Sequence, residues 1–126
     1  MAKLPPDMRK QNFEEVALGF TEEQAIIEAE RCIQCANPTC NAGCPANIDI
    51  PRFILAIKER RFKDAIEIIR EEDNLPAITG RVCPQEVQCE RTCVLSKVRA
   101  PIAIGALERF AADYELKAGR TVKLTS

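Results

Sequence analysis

Cysteine is the residue type in this chain whose spacing points to chemistry. Cys32, Cys35, Cys40 and Cys44 fall in a C-x2-C-x4-C-x3-C-P run that closes on Pro45. Cys83, Cys89 and Cys93 follow in a C-P-x4-C-x3-C run that opens on Cys83-Pro84. Thiolates spaced this closely bind soft metals, and bacterial ferredoxins use a run similar to the first, whose last cysteine serves the other of two clusters. The reason is geometric. Closely spaced cysteines wrap one face of a cubane, while the last in the run points away. Two cubanes with every iron capped take about eight protein ligands, and the chain offers seven thiols. One ligand must therefore be another residue type, or one iron is open.

Rival uses of the thiols fit less well. The first run is close to a zinc knuckle with Cys in place of His, but knuckles work beside basic and aromatic residues that grip single-stranded nucleic acid. Here 18 Lys and Arg face 19 Asp and Glu, and aromatics make up 5% of the chain. A structural zinc on four thiolates leaves the other three unused, so a zinc-stabilised protein-interaction module stands as the alternative. An odd number of cysteines also cannot all pair as disulfides.

Other function classes lack their equipment. There is no His, which removes the commonest general base and the Ser-His and Cys-His nucleophile pairs. No Gly-x-Gly occurs, so the dinucleotide fingerprint is absent. The charge balance argues against a nucleic-acid partner and offers no polybasic membrane patch. No apolar run approaches a membrane span, and the first ten residues lack the h-region of a signal peptide. The expected location is the cytoplasm, where thiols stay reduced.

The elements that must position the thiols read as helices. Residues 1–20 form an arm without regular structure, anchored by Phe13, Val16, Leu18 and Phe20. Thr21-Glu22-Glu23-Gln24 is a capping box that starts a helix leading to Cys32. Asn37-Pro38 and Gly43 keep the first cysteine run a loop. Pro51 suits the first turn of a helix buried through Ile50, Phe53, Ile54 and Ile57. Arg60-Arg61 marks a break, and Phe62, Ala65, Ile66 and Ile69 form a second apolar stripe, giving a helical hairpin as the spacer between the cysteine runs. Residues 75–82 carry Pro76 and Gly80 and read as loop. A short helix runs from Pro84 to about Leu95, with Cys89 and Cys93 on one face. A last helix opens near Pro101, turns Ile104, Leu107, Phe110, Ala111 and Tyr114 inward, and ends near Gly119. Glu108 sits at the border of that stripe, where the ordinary reading is a solvated surface carboxylate. No strand is convincing, so the fold class is all-α, with the helical domain over 21–118 and a tail or linker over 119–126.

Arg31-Cys32 through Cys44-Pro45 and on to Pro51, Gly80-Arg81-Val82-Cys83-Pro84 with Cys89 and Cys93, and Pro101 through Phe110 together resemble one N-terminal domain. It is the iron–sulfur domain of the glutamate synthase small subunit family, with related forms in dihydropyrimidine dehydrogenase and in the large subunit of NADH-dependent ferredoxin–NADP oxidoreductase. The resemblance implies a small all-α domain of the α-helical ferredoxin type, built around two [4Fe-4S] clusters. One would lie on Cys32, Cys35, Cys40 and Cys93. The other would take Cys44, Cys83 and Cys89, with Glu108 as its eighth ligand. The implied role is a relay of single electrons between a flavin-containing NAD(P)H oxidoreductase module and a partner such as the glutamate synthase large subunit, with no catalysis by this domain alone. The family's small subunits continue into FAD- and NADPH-binding Rossmann domains. Both cofactors are therefore expected on such domains or on a partner chain, not within these residues.

Overall fold

The computed structural model describes residues 2–13 and 17–118. Its centre is the helical hairpin formed by α4 (Ile50–Lys58) and α5 (Phe62–Arg70). All eight residues of the two expected stripes are buried, at about 1.5–3 kcal/mol for each large side chain. The turn between them is a complete Schellman motif. Arg61 N–H donates to the Ala56 carbonyl at 2.8 Å and Arg60 N–H to the Ile57 carbonyl at 3.0 Å. The turn puts Arg60 at φ +62°, in the left-handed region.

The last helix, α8 (Ile104–Ala118), lies across this hairpin. Leu107 and Ala111 are fully buried, and Phe110 meets Phe62 edge-on at 5.2 Å between ring centroids. Tyr114 reaches the same Phe62 ring at 4.9 Å. Two carboxylates from elsewhere satisfy the orphan N–H groups where α8 begins. Glu28 accepts from Ala103 N–H at 3.0 Å, and Glu90 from Gly105 N–H at 3.3 Å. Ordering this end holds Ile102, Ala103 and Ile104 in place, and it explains why the helix starts at Ile104 and not at Pro101.

The remaining elements are short. The capping box forms as read: Gln24 N–H donates to Thr21 Oγ1 and Thr21 N–H to the Gln24 side chain. It opens α2 (Glu22–Glu30), which packs on α4. Then come α3 (Thr39–Gly43), α6 (Pro76–Val82), a 3₁₀ turn over Gln85–Val87, α7 (Cys89–Thr92) and a second 3₁₀ turn over Val94–Lys97.

Several sequence expectations are corrected here. The first cysteine run is not wholly loop, since α3 occupies its second half. Residues 76–82 are helix: Pro76 stands in the first turn, where it lacks no needed donor, and Gly80 is buried inside the element. The single helix expected over 84–95 breaks into two 3₁₀ turns and one helical turn. The arm carries α1 (Pro6–Arg9) and a two-stranded antiparallel ladder of β1 (Ala2–Lys3) with β2 (Ala17–Gly19). Strand is confined to that ladder among the described residues, and the architecture is helical. The Gly119 stop and the tail fall outside the described residues.

Candidate metal centre

Two close helix crossings bring the cysteine runs together. At the first, Gly43 on α3 meets α7. A Cβ on Gly43 would stand 2.8 Å from the Gln88 carbonyl oxygen, so only glycine permits the approach. The Thr39 hydroxyl donates to the Thr92 carbonyl across the same crossing. At the second, Gly80 on α6 meets α8, where a Cβ would stand 2.8 Å from Arg109 N. Arg81 closes this crossing with a two-pronged pair to Asp113, both contacts at 2.9 Å.

The crossings sort the eight candidate residues into two cavities. Cys32, Cys35, Cys40 and Cys93 line one, whose wall is completed by apolar residues including Ile50, Ile54 and Ile102. Its free space is about 20 Å³, little more than one water molecule needs. Cys44, Cys83, Cys89 and Glu108 line the other, an open cavity of about 310 Å³. Cys44 is one residue past α3, where the backbone turns extended (φ −90°, ψ 118°) and carries its thiol away from Cys40. Cys93 does the same past α7 (φ −62°, ψ 130°). Cys89 and Cys93 therefore do not share a face, contrary to the expected single helix, because the helix ends between them.

The electrostatics divide along the same line. Burial pushes the Cys40 thiol up to about 11, and the charges that oppose its ionisation further are those of Cys32, Cys93 and Cys35. The Cys32 thiol is raised by burial and then by Cys35 and Cys93. On the other side, burial pushes Cys89 up to about 12, with Glu90, Cys44 and Glu108 adding to it. Cys83 is raised by burial, then by Glu108, Asp73 and Cys44. Thiols placed this way favour the neutral form unless a cation offsets their charge. Among the described residues no three His, Cys, Asp or Glu side chains converge on the position of a lone metal ion. The thiols stand around each cavity and do not meet at the roughly 2.3 Å reach of a single zinc.

Glu108 is not the solvated carboxylate of the ordinary reading. It is 7% exposed. Burial raises its carboxyl to about 8, the Thr79 hydroxyl pulls it back, and Asp73 raises it further. The Asp73 and Thr79 side chains were missed in the sequence. Thr79 lay in the stretch read as loop and Asp73 beyond the second apolar stripe, and neither carries a motif.

Two of the arginines beside the thiols, Arg31 and Arg81, have structural partners. Arg31 donates to Glu28 and to the Ala100 carbonyl, both at 2.5 Å. Arg81 is engaged with Asp113, and Arg91 is exposed. A closer donor to sulfur is Gln34, whose Nε2 lies 3.6 Å from Cys32 Sγ and 3.1 Å from the Pro51 carbonyl.

A family profile described as dihydropyrimidine dehydrogenase domain II, 4Fe-4S cluster, matches residues 9–120. The chain belongs to this 4Fe-4S family. Relatives within reach of it include the NAD-dependent dihydropyrimidine dehydrogenase subunit PreT of Escherichia coli (strain K12), 43% identical over 91% of this chain and 28% of its own length. The glutamate synthase [NADPH] small chain of the same organism is 37% identical over 93% of this chain and 25% of its own. The putative oxidoreductase AegA is 37% identical over 93% of this chain and 18% of its own. The chain thus spans between 18% and 28% of the length of these relatives. The donor chemistry fits such a group in both cavities: all-thiol in the first, three thiols and a carboxylate in the second.

Proposed function

We propose that this domain holds two [4Fe-4S] clusters and relays single electrons between a flavin-containing NAD(P)H oxidoreductase module and a partner. Cys32, Cys35, Cys40 and Cys93 would hold one, and Cys44, Cys83, Cys89 and Glu108 the other. The observation that carries the reading is the partition of seven thiols and one buried carboxylate into two cavities. When bound, the clusters supply one-electron chemistry, which splits a flavin's two-electron load into separate steps. The protein's part is to bury the ligands, keep water from the first site with an apolar wall, and donate to sulfur through Gln34.

The names of the relatives favour an NAD(P)H-linked parent enzyme, with FAD and the nicotinamide on further domains or a partner chain. The resemblance in the sequence put glutamate synthase first. The identities favour the dihydropyrimidine dehydrogenase side, at 43% against 37%. A reducing compartment such as the cytoplasm suits seven free thiols. No helix among the described residues is long and apolar enough to cross a membrane.

The test is anaerobic reconstitution followed by iron and sulfide analysis and EPR of the dithionite-reduced protein. About eight irons per chain and two interacting signals are expected. A colourless protein that takes up stoichiometric zinc and no iron under the same conditions would sink the reading in favour of a zinc-stabilised interaction module.

A further inference from the structure

Glu108 is the one oxygen donor in the proposed ligand sets, and a hydroxyl stands beside it. Thr79 Oγ1 lies 2.5 Å from Glu108 Oε1 and 2.5 Å from Asp73 Oδ2, with the Leu75 carbonyl oxygen at 3.2 Å. A hydroxyl has one proton to give, so it serves one of these acceptors at a time. Asp73 is itself held, because its Oδ1 accepts from Leu75 N–H at 2.9 Å across the start of α6. Thr79 rides in the middle of α6, beside Gly80 and Arg81, the two residues that fix the distance from α6 to α8. The hydroxyl is thus carried to Glu108 by the most closely packed helix pair near the cavity, and both Asp73 and Thr79 line that cavity.

A thiolate has one donor atom and one way to meet a metal. A carboxylate has two oxygens, and the torsion that turns them is soft. Left alone, it can present either oxygen or both. Oriented ligands usually owe their orientation to a hydrogen bond from a residue behind them.

Resting on the reading of Glu108 as a ligand, we propose that Thr79 is its positioning residue: the hydroxyl gives its one proton to one carboxylate oxygen so that Glu108 meets the metal through the other, and Asp73 is the acceptor that competes for that proton. Thr79 itself touches no metal.

The test uses the anaerobically reconstituted chain and the EPR spectrum of its reduced form, with circular dichroism as a check on helix content. Thr79→Val keeps the shape and removes the hydroxyl; Thr79→Ser keeps the hydroxyl. Thr79→Val is expected to shift or abolish the second-site signal and leave the first-site signal unchanged, and Thr79→Ser to return the parent spectrum. Glu108→Cys is expected to change the second-site signal, and adding Thr79→Val to it should change nothing more, since a thiolate needs no orienting donor. A parent-like spectrum for Thr79→Val beside an altered one for Glu108→Cys overturns the role of Thr79 and spares the ligand reading. A parent-like spectrum for Glu108→Cys overturns the ligand reading and this inference with it. A Thr79→Val effect of the same size in the Glu108→Cys background means that Thr79 acts through packing and overturns the inference. Should Thr79→Val not fold, Thr79→Ala is read in its place: a second-site shift that Thr79→Ser does not show supports the role, and a parent-like spectrum overturns it.

Discussion

Cys44 follows the last residue of α3, and the turn to extended backbone there decides which cavity it serves. Cys44→Ser is expected to remove the second-site EPR signal and keep the first. Loss of the first signal instead would mean that the four-cysteine run acts as a closed site of its own. Gln34 is the residue whose amide reaches a candidate ligand sulfur, at 3.6 Å from Cys32. A donor to sulfur favours the reduced, more negative state, so removing it disfavours reduction. Gln34→Leu is expected to lower the potential of the first cluster and leave that of the second unchanged, as read by an EPR-monitored redox titration. An unchanged first potential would show that the amide serves only the Pro51 carbonyl. At this scale the sequence was legible where a residue type has few uses. A histidine-free chain with clustered thiols leaves metal as the main option. Thr79 and Asp73 were illegible, because hydroxyl and carboxylate side chains serve caps, turns and surfaces everywhere, and only the fold shows that these two meet at Glu108.

Among the elements, α4 and α5 were read residue by residue, because a hairpin that buries one face of each helix must show its period. The helix α6 was not, and the reason is physical. Pro76 and Gly80 break helices when the chain is considered alone. Here Pro76 occupies the first turn, and Gly80 is needed for α6 to touch α8, so the tertiary contact outweighs local propensity. Gly80→Ala puts a Cβ within 2.8 Å of the α8 backbone. A destabilisation of about 1–3 kcal/mol is expected from such overpacking, together with loss of the second-site signal while the first survives. Thermal unfolding and EPR of the same samples check both halves. The opposite change suits Arg60, which holds the left-handed position of the Schellman turn with φ +62°. Arg60→Gly relieves a strain of about 1 kcal/mol and is expected to raise the melting temperature without altering either EPR signal.

For the molecule as a whole, stability is unevenly distributed. The long buried stripes belong to α4, α5 and α8, and they pack on one another through Phe62, Phe110 and Leu107. The helices that carry or directly precede five of the eight candidate ligands, α3, α6 and α7, have five, seven and four residues, far too few to hold a helix in isolation. Removing the metal with an oxidant and a chelator is expected to abolish hydrogen-exchange protection in α3, α6 and α7, while α4, α5 and α8 keep theirs. Uniform loss, or uniform retention, would contradict this division. It also explains what the sequence conveyed at this scale. A helical class was visible because the apolar core is helical, whereas the breaks over 83–97 depend on two cavities that no local pattern announces.

The short interval from Cys89 to Cys93 spans both cavities and acts as a ruler. One residue added between these positions turns the later thiol about the helix axis by roughly 100° and spoils two sites at once. The exposed turn at Glu59–Arg61 reaches neither cavity, and loops there can lengthen at about 0.6 kcal/mol per doubling. Descendants of this domain are therefore free to vary in length at the far end of the hairpin, while the interval between these two cysteines has no slack to give.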